Sequence, residues 1–239
     1  MNNQPGISVI IPTANEAAAL PACLERISGS LNEIIVVDAA SEDATCAIAE
    51  AAGCRVLSSP QRHRARQMNL GARNARGAIL LFLHADTWLP RDALEKIVEA
   101  IDRRGAVGGG FARRYRSRSV ALALTSRLAG LRNRLVGWHL GDQALFVRRD
   151  LFQRLGGFRD LAIFEDLDFS RRLRSLGQTV TLTPPVSSSA RRFAQEGPLR
   201  TTLNDLFLTR QYLLGRDPNQ LCQMRDDRLN ALQSHELLS

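Results

Sequence analysis

Three short stretches in the first half of the chain are apolar nearly throughout, with Ser8 as the one polar residue among them: ISVII (7–11), IIVV (34–37) and ILLFL (79–83). A strand wetted on one side alternates apolar with polar residues. Such runs of four or five instead predict strands buried on both faces, as in a parallel sheet covered by helices. Residues 17–27 and 44–52 lie between the runs, rich in alanine and with charges spaced for one wet face, and predict helices. Strand–helix–strand alternation at this spacing predicts an α/β fold with a doubly wound sheet. Such sheets bind ligands beyond the carboxyl ends of their strands, so the residues after each run are where chemistry is expected.

The pattern changes after Asp102. In GAVGGGFARRY (105–115), three successive glycines precede an alternating, strand-like piece, and glycines there predict a bulge or a close backbone approach. Residues 119–135 form a basic amphipathic stretch. A strand at 143–147 and a helix at 150–155 follow, then helices at 166–176 and 199–214. Residues past Asp217 are polar and read as a loosely held tail. No repeat or linker divides the chain, which predicts one domain.

Composition narrows the class. With 44% hydrophobic and 23% charged residues in 239, intrinsic disorder is a poor description. The formal net charge of +8 is carried almost wholly by arginine, Lys96 being the only lysine, and favours polyanionic partners without choosing among them. Four cysteines without a C-x-x-C pair predict neither a zinc site nor a disulfide framework. The opening MNNQPGISVIIP has no basic segment followed by a long apolar one, and no run reaches the ~20 apolar residues that span a bilayer. A cytoplasmic protein is the expectation. Peripheral contact with the inner face of the membrane is left open by the amphipathic stretches 119–135 and 203–214, although packing on the core or a partner subunit is the favoured reading of both.

The predicted strands run into polar clusters: PTANE (12–16), DAASED (38–43) and HADT (84–87). In a parallel sheet these clusters converge on one edge. Carboxylates gathered there repel one another unless a cation neutralises them, and hard oxygen ligands suit Mg²⁺ or Mn²⁺, which in turn bind diphosphates. Asp43 alone reads better as a helix cap, whereas Asp38 and Asp86 together favour the cation reading.

At this point SVIIPTANE, EIIVVDAASED, QMNLGARNARGAILLFLHADT and FEDLDFSRRL, in that order, resemble the family 2 glycosyltransferases from residue 7 to about 195. Within that family the chain is similar to small, soluble bacterial members that carry HAD where others carry DxD. The resemblance implies a GT-A-like, Rossmann-like, mixed and mainly parallel sheet flanked by helices. It implies a domain over 1–217, with a donor-nucleotide half (1–105) and an acceptor or catalytic half (106–217), leaving 218–239 as the tail. It also implies roles. Pro12, Thr13, Glu16 and Asp38 fall where the family contacts the nucleoside, and Arg66 and Asn69 where it steadies the nucleotide and diphosphate, with Arg62 and Arg64 as possible helpers. Asp86 matches the metal-binding Asp of DxD. His84 replaces the first Asp, a departure that brings no negative charge. Asp166 of the Glu165-Asp166 pair matches the general base of inverting members, Asp142 lies on the acceptor side, and Arg191 and Arg192 resemble a shortened Q-x-x-R-W element that would hold the departing diphosphate.

The implied reaction is transfer of a sugar from a nucleoside-diphosphate sugar to an acceptor hydroxyl, with inversion and with Mn²⁺ or Mg²⁺. The acceptor is unidentified, a lipid-linked one being among the readings. Two alternatives remain beside it: a catalytically silent sugar-nucleotide-binding protein, because His84 breaks the motif, and a nucleotidyltransferase, although PTANEAAAL lacks the glycine and lysine such enzymes carry after the first strand. Nucleic acid is not an expected partner, since the arginines are dispersed and aromatics make up only 5%.

Overall fold

The computed structural model describes the backbone of residues 6–27 and 33–236, and the side chains of these up to Asp227. Its centre is an eight-stranded mixed sheet: β1 (Ile7–Thr13), β2 (Glu33–Asp38), β3 (Arg55–Ser58), β4 (Ile79–Phe82), β5 (Thr87–Trp88), β6 (Gly108–Tyr115), β7 (Leu145–Arg148) and β8 (Thr179–Ser188), in the order β3-β2-β1-β4-β7-β6-β8-β5. β3, β2, β1 and β4 are parallel; β7 then pairs antiparallel with both β4 and β6. The helices are α1 (Leu20–Leu24), α2 (Thr45–Ala51), α3 (Arg64–Asn74), α4 (Ala93–Asp102), α5 (Val120–Val136), α6 (Arg149–Arg154), α7 (Glu165–Arg174), α8 (Arg191–Glu196), α9 (Pro198–Leu213) and α10 (Pro218–Glu236).

The apolar runs have the expected cause. Ile7, Val9 and Ile11 of β1, with Ile79 and Leu81 of β4, enter one core beside α1, α2 and α4. Their alternates Ile10, Leu80 and Phe82 enter a second core beside α3, α6 and α7. Each strand therefore feeds two layers, and polar residues return only where the strands leave the sheet.

The glycines of β6 serve close approach. A Cβ on Gly109 would stand 2.0 Å from the Val180 carbonyl oxygen, and one on Gly108 2.4 Å from that of Phe146. Bare backbone lets β6 fit between β7 and β8, and its register slips between Phe111 and Arg113.

Two expectations are corrected. The helix expected over 17–27 shrinks to five residues: Asn15 takes a left-handed backbone (φ 56°), residues 17–19 are spent on a turn, and Pro21 marks the true first turn of α1. The expected loose tail is, from Pro218 to Glu236, a helix. Leu221 is fully buried with Ile163 and Leu208 in a third cluster that Tyr212 and Met224 complete. Polar composition concealed a single anchoring leucine. The opening residues 1–5, and 237–239 at the other end, lie outside the described residues.

Candidate active site

Strand order reverses between β1 and β4, and a cleft of about 920 Å³ opens beyond their tips. One wall comes from the strand tips, with Pro12, Thr13 and Glu16 after β1 and His84 and Asp86 after β4; the other comes from Asp142, the Phe164–Leu167 segment, α8 and α9. Four described non-glycine residues have positive φ: Asn15, Ala40, Ala144 and Phe164. All four stand in turns next to a strand tip or the cleft wall, and such backbone costs on the order of 1–3 kcal/mol each, so it persists only where surroundings enforce it. For Phe164 the enforcing partner is Tyr212 of α9, whose ring stacks on it at 5.0 Å.

On the strand side, Asp38 does not line the cleft; it is buried behind Thr13. Its Oδ1 accepts hydrogen bonds from Thr13 Oγ1 (2.9 Å) and Ser41 Oγ (2.5 Å), and its Oδ2 one from the Ser41 amide (2.9 Å). Burial alone would raise its pKa, but these donors outweigh it and hold the carboxyl below its ordinary value. Gln67 adds a clamp, its Nε2 donating to the carbonyls of Thr13 and Val37 at 2.8 Å each. The HAD segment is a tight turn closed by the Thr87 amide on the His84 carbonyl (3.0 Å), with Arg116 donating to the Asp86 carbonyl (2.8 Å).

The two arginine–amide positions are corrected by helical phase. Arg64 and Gln67 lie on the face of α3 that packs toward β1 and β2, where Gly71 meets Ile10. Arg66 and Asn69 fall at least ~140° from Arg64 around the same helix and do not line the cleft. Arg66 pairs with Asp160 through two oxygens (2.9 and 2.6 Å), and Asn69 brackets the Phe158 backbone (2.8 and 3.0 Å). Arg62 and Arg64 occupy the cleft instead.

On the helix side, Asp166 opens α7. Its Oδ2 accepts the Gly141 amide (2.7 Å) and its Oδ1 the Leu167 amide (2.6 Å). Glu165 is almost wholly buried, and its pKa is pushed up to about 7 by that burial and by the neighbouring Asp166, against the opposing pull of Arg64. The Arg64 guanidinium stands 3.5 Å from Glu165 Oε1, within ion-pairing range but beyond a well-made hydrogen bond. His84 Nε2 is shielded from solvent without a partner, and burial together with Arg64 lowers its pKa, which keeps the imidazole neutral. Gly141 is the hinge between His84 and Asp166: a Cβ there would stand 2.8 Å from His84 Nε2 and 3.3 Å from Asp166 Oδ2.

Six carboxylates line the cleft, and arginines partner four of them: Arg191 with Glu16, Arg113 with Asp142, Arg64 with Glu165 and Arg192 with Asp205. Among the described residues, Asp86 and Asp166 have no cationic group within ion-pairing distance, and Arg116 and Arg132 act on them only from farther away. Arg62 and Arg132 likewise face the cleft without an acidic one; Arg132 binds the side-chain oxygens of Asn133 and Gln143. Sequence reading missed Arg113, Tyr115 and Arg132. The alternation of FARRY carried the signal for the first two, because Phe111, Arg113 and Tyr115 share the inward face of β6.

Among the described residues, no three His, Cys, Asp or Glu side chains are grouped to hold a metal by themselves. Asp86, with the unpartnered Nε2 of His84 nearby, fits a divalent cation that takes its remaining ligands from diphosphate oxygens and water, the usual habit of Mg²⁺.

The mixed α/β sheet, with a strand-tip cleft at its switch point rimmed by arginines and carboxylates, has the GT-A-type fold of nucleotide-sugar transferases. The fold agrees with solved structures of that class. TarS of S. aureus superposes with TM-score 0.65 at 18% identity over 77% of this chain and 36% of that chain. The mannosyltransferase PcManGT from Pyrobaculum calidifontis, solved with GDP-Man and Mn²⁺, gives 0.62 at 23% over 79% of this chain and 57% of that one. This chain belongs to glycosyl transferase family 2, whose model matches residues 8–156. It is 32% identical over 192 residues to the PGL/p-HBAD biosynthesis glycosyltransferase of Mycobacterium bovis and Mycobacterium tuberculosis, 74% of this chain and 73% of that protein. It thus spans about three-quarters of the mycobacterial relatives but little more than a third of TarS.

Proposed function

We propose that the protein transfers a glycosyl group from a nucleoside-diphosphate sugar to an acceptor hydroxyl with inversion at the anomeric carbon. One observation carries this reading: the two cleft carboxylates without a close ion pair, Asp86 and Asp166, sit on opposite walls. Inverting transfer needs a base toward the nucleophile and positive charge toward the leaving diphosphate, which a cation held by the other carboxylate would supply. Pro12, Thr13 and Glu16 receive the nucleoside, and Asp38 supports them by fixing Thr13 from behind. Arg62, Arg132 and the α8 arginines Arg191 and Arg192 face the diphosphate, where guanidinium charge is most useful as negative charge develops. Asp86 would hold a divalent cation, which would supply positive charge to stabilise the leaving diphosphate. TarS has also been solved with UDP-GlcNAc, and PcManGT with GDP-Man and Mn²⁺, which supports this class of donor.

On the other wall, Asp166 takes the acceptor proton as the hydroxyl oxygen forms its bond to the anomeric carbon. The bond from that carbon to the phosphate oxygen breaks, and the nucleoside diphosphate leaves with the electron pair. The backbone amides of Gly141 and Leu167 orient the carboxylate for this task. Asp142 Oδ1 and Glu165 Oε1 lack hydrogen-bond partners, and sugar hydroxyls would satisfy them.

The test is a panel of sugar nucleotides incubated with the protein and Mn²⁺, following release of nucleoside diphosphate and the anomeric configuration of any product by NMR. Release from one donor, with an inverted product, is expected. Binding of sugar nucleotides without release of nucleoside diphosphate from any of them would establish a silent binder instead.

A further inference from the structure

The helices α5 and α9 lie against each other, Thr125 and Thr202 meeting at 3.3 Å, and each turns an apolar face to solvent. On α5, Val120, Leu124, Leu128, Leu131 and Leu135 fall within a stripe about 80° wide, opposite the buried Leu122, Ala129 and Asn133. They are 82, 56, 53, 53 and 73% exposed. On α9, Leu199, Leu203, Leu206 and Leu213 repeat the arrangement, opposite the buried Thr201 and Leu208. Each helix therefore packs on the protein's own core by one face, through Leu122 and Leu208, and leaves its leucine-rich face to solvent.

Nine large apolar side chains on two adjoining helices make a continuous patch of a kind that marks an interaction surface. Charge identifies the partner. α5 contains no acidic residue, and the single acid of α9, Asp205, is tied to Arg192. Exposed arginines border the leucines: Arg127 and Arg134 on α5, Arg200 and Arg210 on α9. Two copies of such a face would bring like charges together, whereas anionic headgroups would neutralise them while the leucines enter the acyl boundary. The patch also runs into the cleft, since Val136 at the end of α5 and Leu213 at the end of α9 are exposed and line the cleft wall. Among the described residues, no helix is long and apolar enough to cross a membrane.

We propose that the α5–α9 face docks the protein peripherally on an anionic lipid bilayer, with the cleft mouth at the membrane surface. Resting further on the transfer reading above, the acceptor hydroxyl is then carried by a lipid that enters the cleft between Val136 and Leu213.

Co-sedimentation tests this with vesicles of phosphatidylcholine alone and of phosphatidylcholine with phosphatidylglycerol. The variants are Leu124→Gln/Leu128→Gln/Leu203→Gln/Leu206→Gln, all at exposed positions, and Arg127→Glu/Arg134→Glu. The wild type should bind the anionic vesicles. The leucine variant should lose at least tenfold in the bound-to-free ratio, and the arginine variant should lose its preference for anionic over neutral vesicles. A nucleoside diphosphate should raise the melting temperature of all three alike. Wild type that binds neither vesicle, or a leucine variant that binds as well as wild type, overturns the proposal. So does a solution dimer that the leucine variant dissociates, because a second copy would then cover the face. Vesicle binding without any response to nucleoside diphosphates or their sugars would leave the docking surface standing and sink the transfer reading.

Discussion

The two walls of the cleft are built on different principles. The strand-tip wall is local: each run of buried residues ends, and within three residues Thr13, Asp38 or Asp86 follows. Its loops are cross-tied by short hydrogen bonds, such as Ser41 on Asp38 and the Asn15 amide on Ser41 Oγ (2.7 Å). The helical wall is assembled from helices and loops that carry no such end-of-run mark in the sequence. Asp166 needs Gly141, 25 residues earlier, to orient it, and Phe164 needs Tyr212 of α9 to hold its left-handed backbone. A wall made of strand ends can be rigid without help, whereas one made of helices depends on packing between them. In the proposed reading, the strand side holds the donor and the helical side meets the acceptor.

The sharpest way to separate the walls is Asp166→Asn. The account expects transfer to fall by about 10³-fold or more while nucleoside-diphosphate affinity stays within about twofold, as for loss of a general base. Steady-state rates and calorimetric titration of the same sample check both halves. A smaller but still large effect is expected where the walls touch. Gly141→Ala would drive a methyl group toward His84 Nε2 and Asp166, cutting kcat by about 10–100-fold and costing about 1–3 kcal/mol in a denaturant melt.

Glu165 gives the walls a pH signature. Its folded pKa of about 7 lies above the ordinary 4.5, so the folded state holds a proton that the unfolded chain has released. The stability from this group is complete below about pH 4.5 and is lost as pH rises through 7, a change on the order of a few kcal/mol. Melting temperatures from pH 5 to 8 should therefore fall more steeply for wild type than for Glu165→Gln. Equal slopes would remove Glu165 as the titrating group.

The smallest expected effect comes from the α3 arginines. Arg66→Ala removes an exposed ion pair with Asp160 and should change stability by no more than about 1 kcal/mol and nucleotide affinity not at all. Arg64→Ala should weaken nucleotide binding several-fold. The reverse order of effects would return the role to Arg66.

The contrast between the walls also explains what the sequence could reveal. Strand ends are marked by the break in an apolar run, so β1, β2 and β4 and the clusters after them are legible without coordinates. β3 escapes because Arg55 and Ser58, at an exposed edge, leave only Val56 and Leu57 to signal it. Arg66 and Asn69 stand in a motif that resembles the family's, but two residues of helix, about 200°, already carry a side chain to the opposite face, and motif position does not record phase. The leucines of α5 and α9 show the limit most clearly. Periodicity gives each helix an apolar face and is silent on whether that face is buried, and the answer depends on Leu122, Thr201 and Leu208 claiming the core first.

The central claim is that Asp86 and Asp166, the two cleft carboxylates without a close ion pair, divide the work of one reaction. It is tested most directly by thermal shift with a nucleoside diphosphate, with and without Mn²⁺, on wild type, Asp86→Ala and Asp166→Asn. The account predicts that Mn²⁺ adds to the nucleotide's stabilisation in wild type and Asp166→Asn, gives none on its own, and adds nothing in Asp86→Ala. An undiminished Mn²⁺ increment in Asp86→Ala, or its disappearance in Asp166→Asn, would contradict that division.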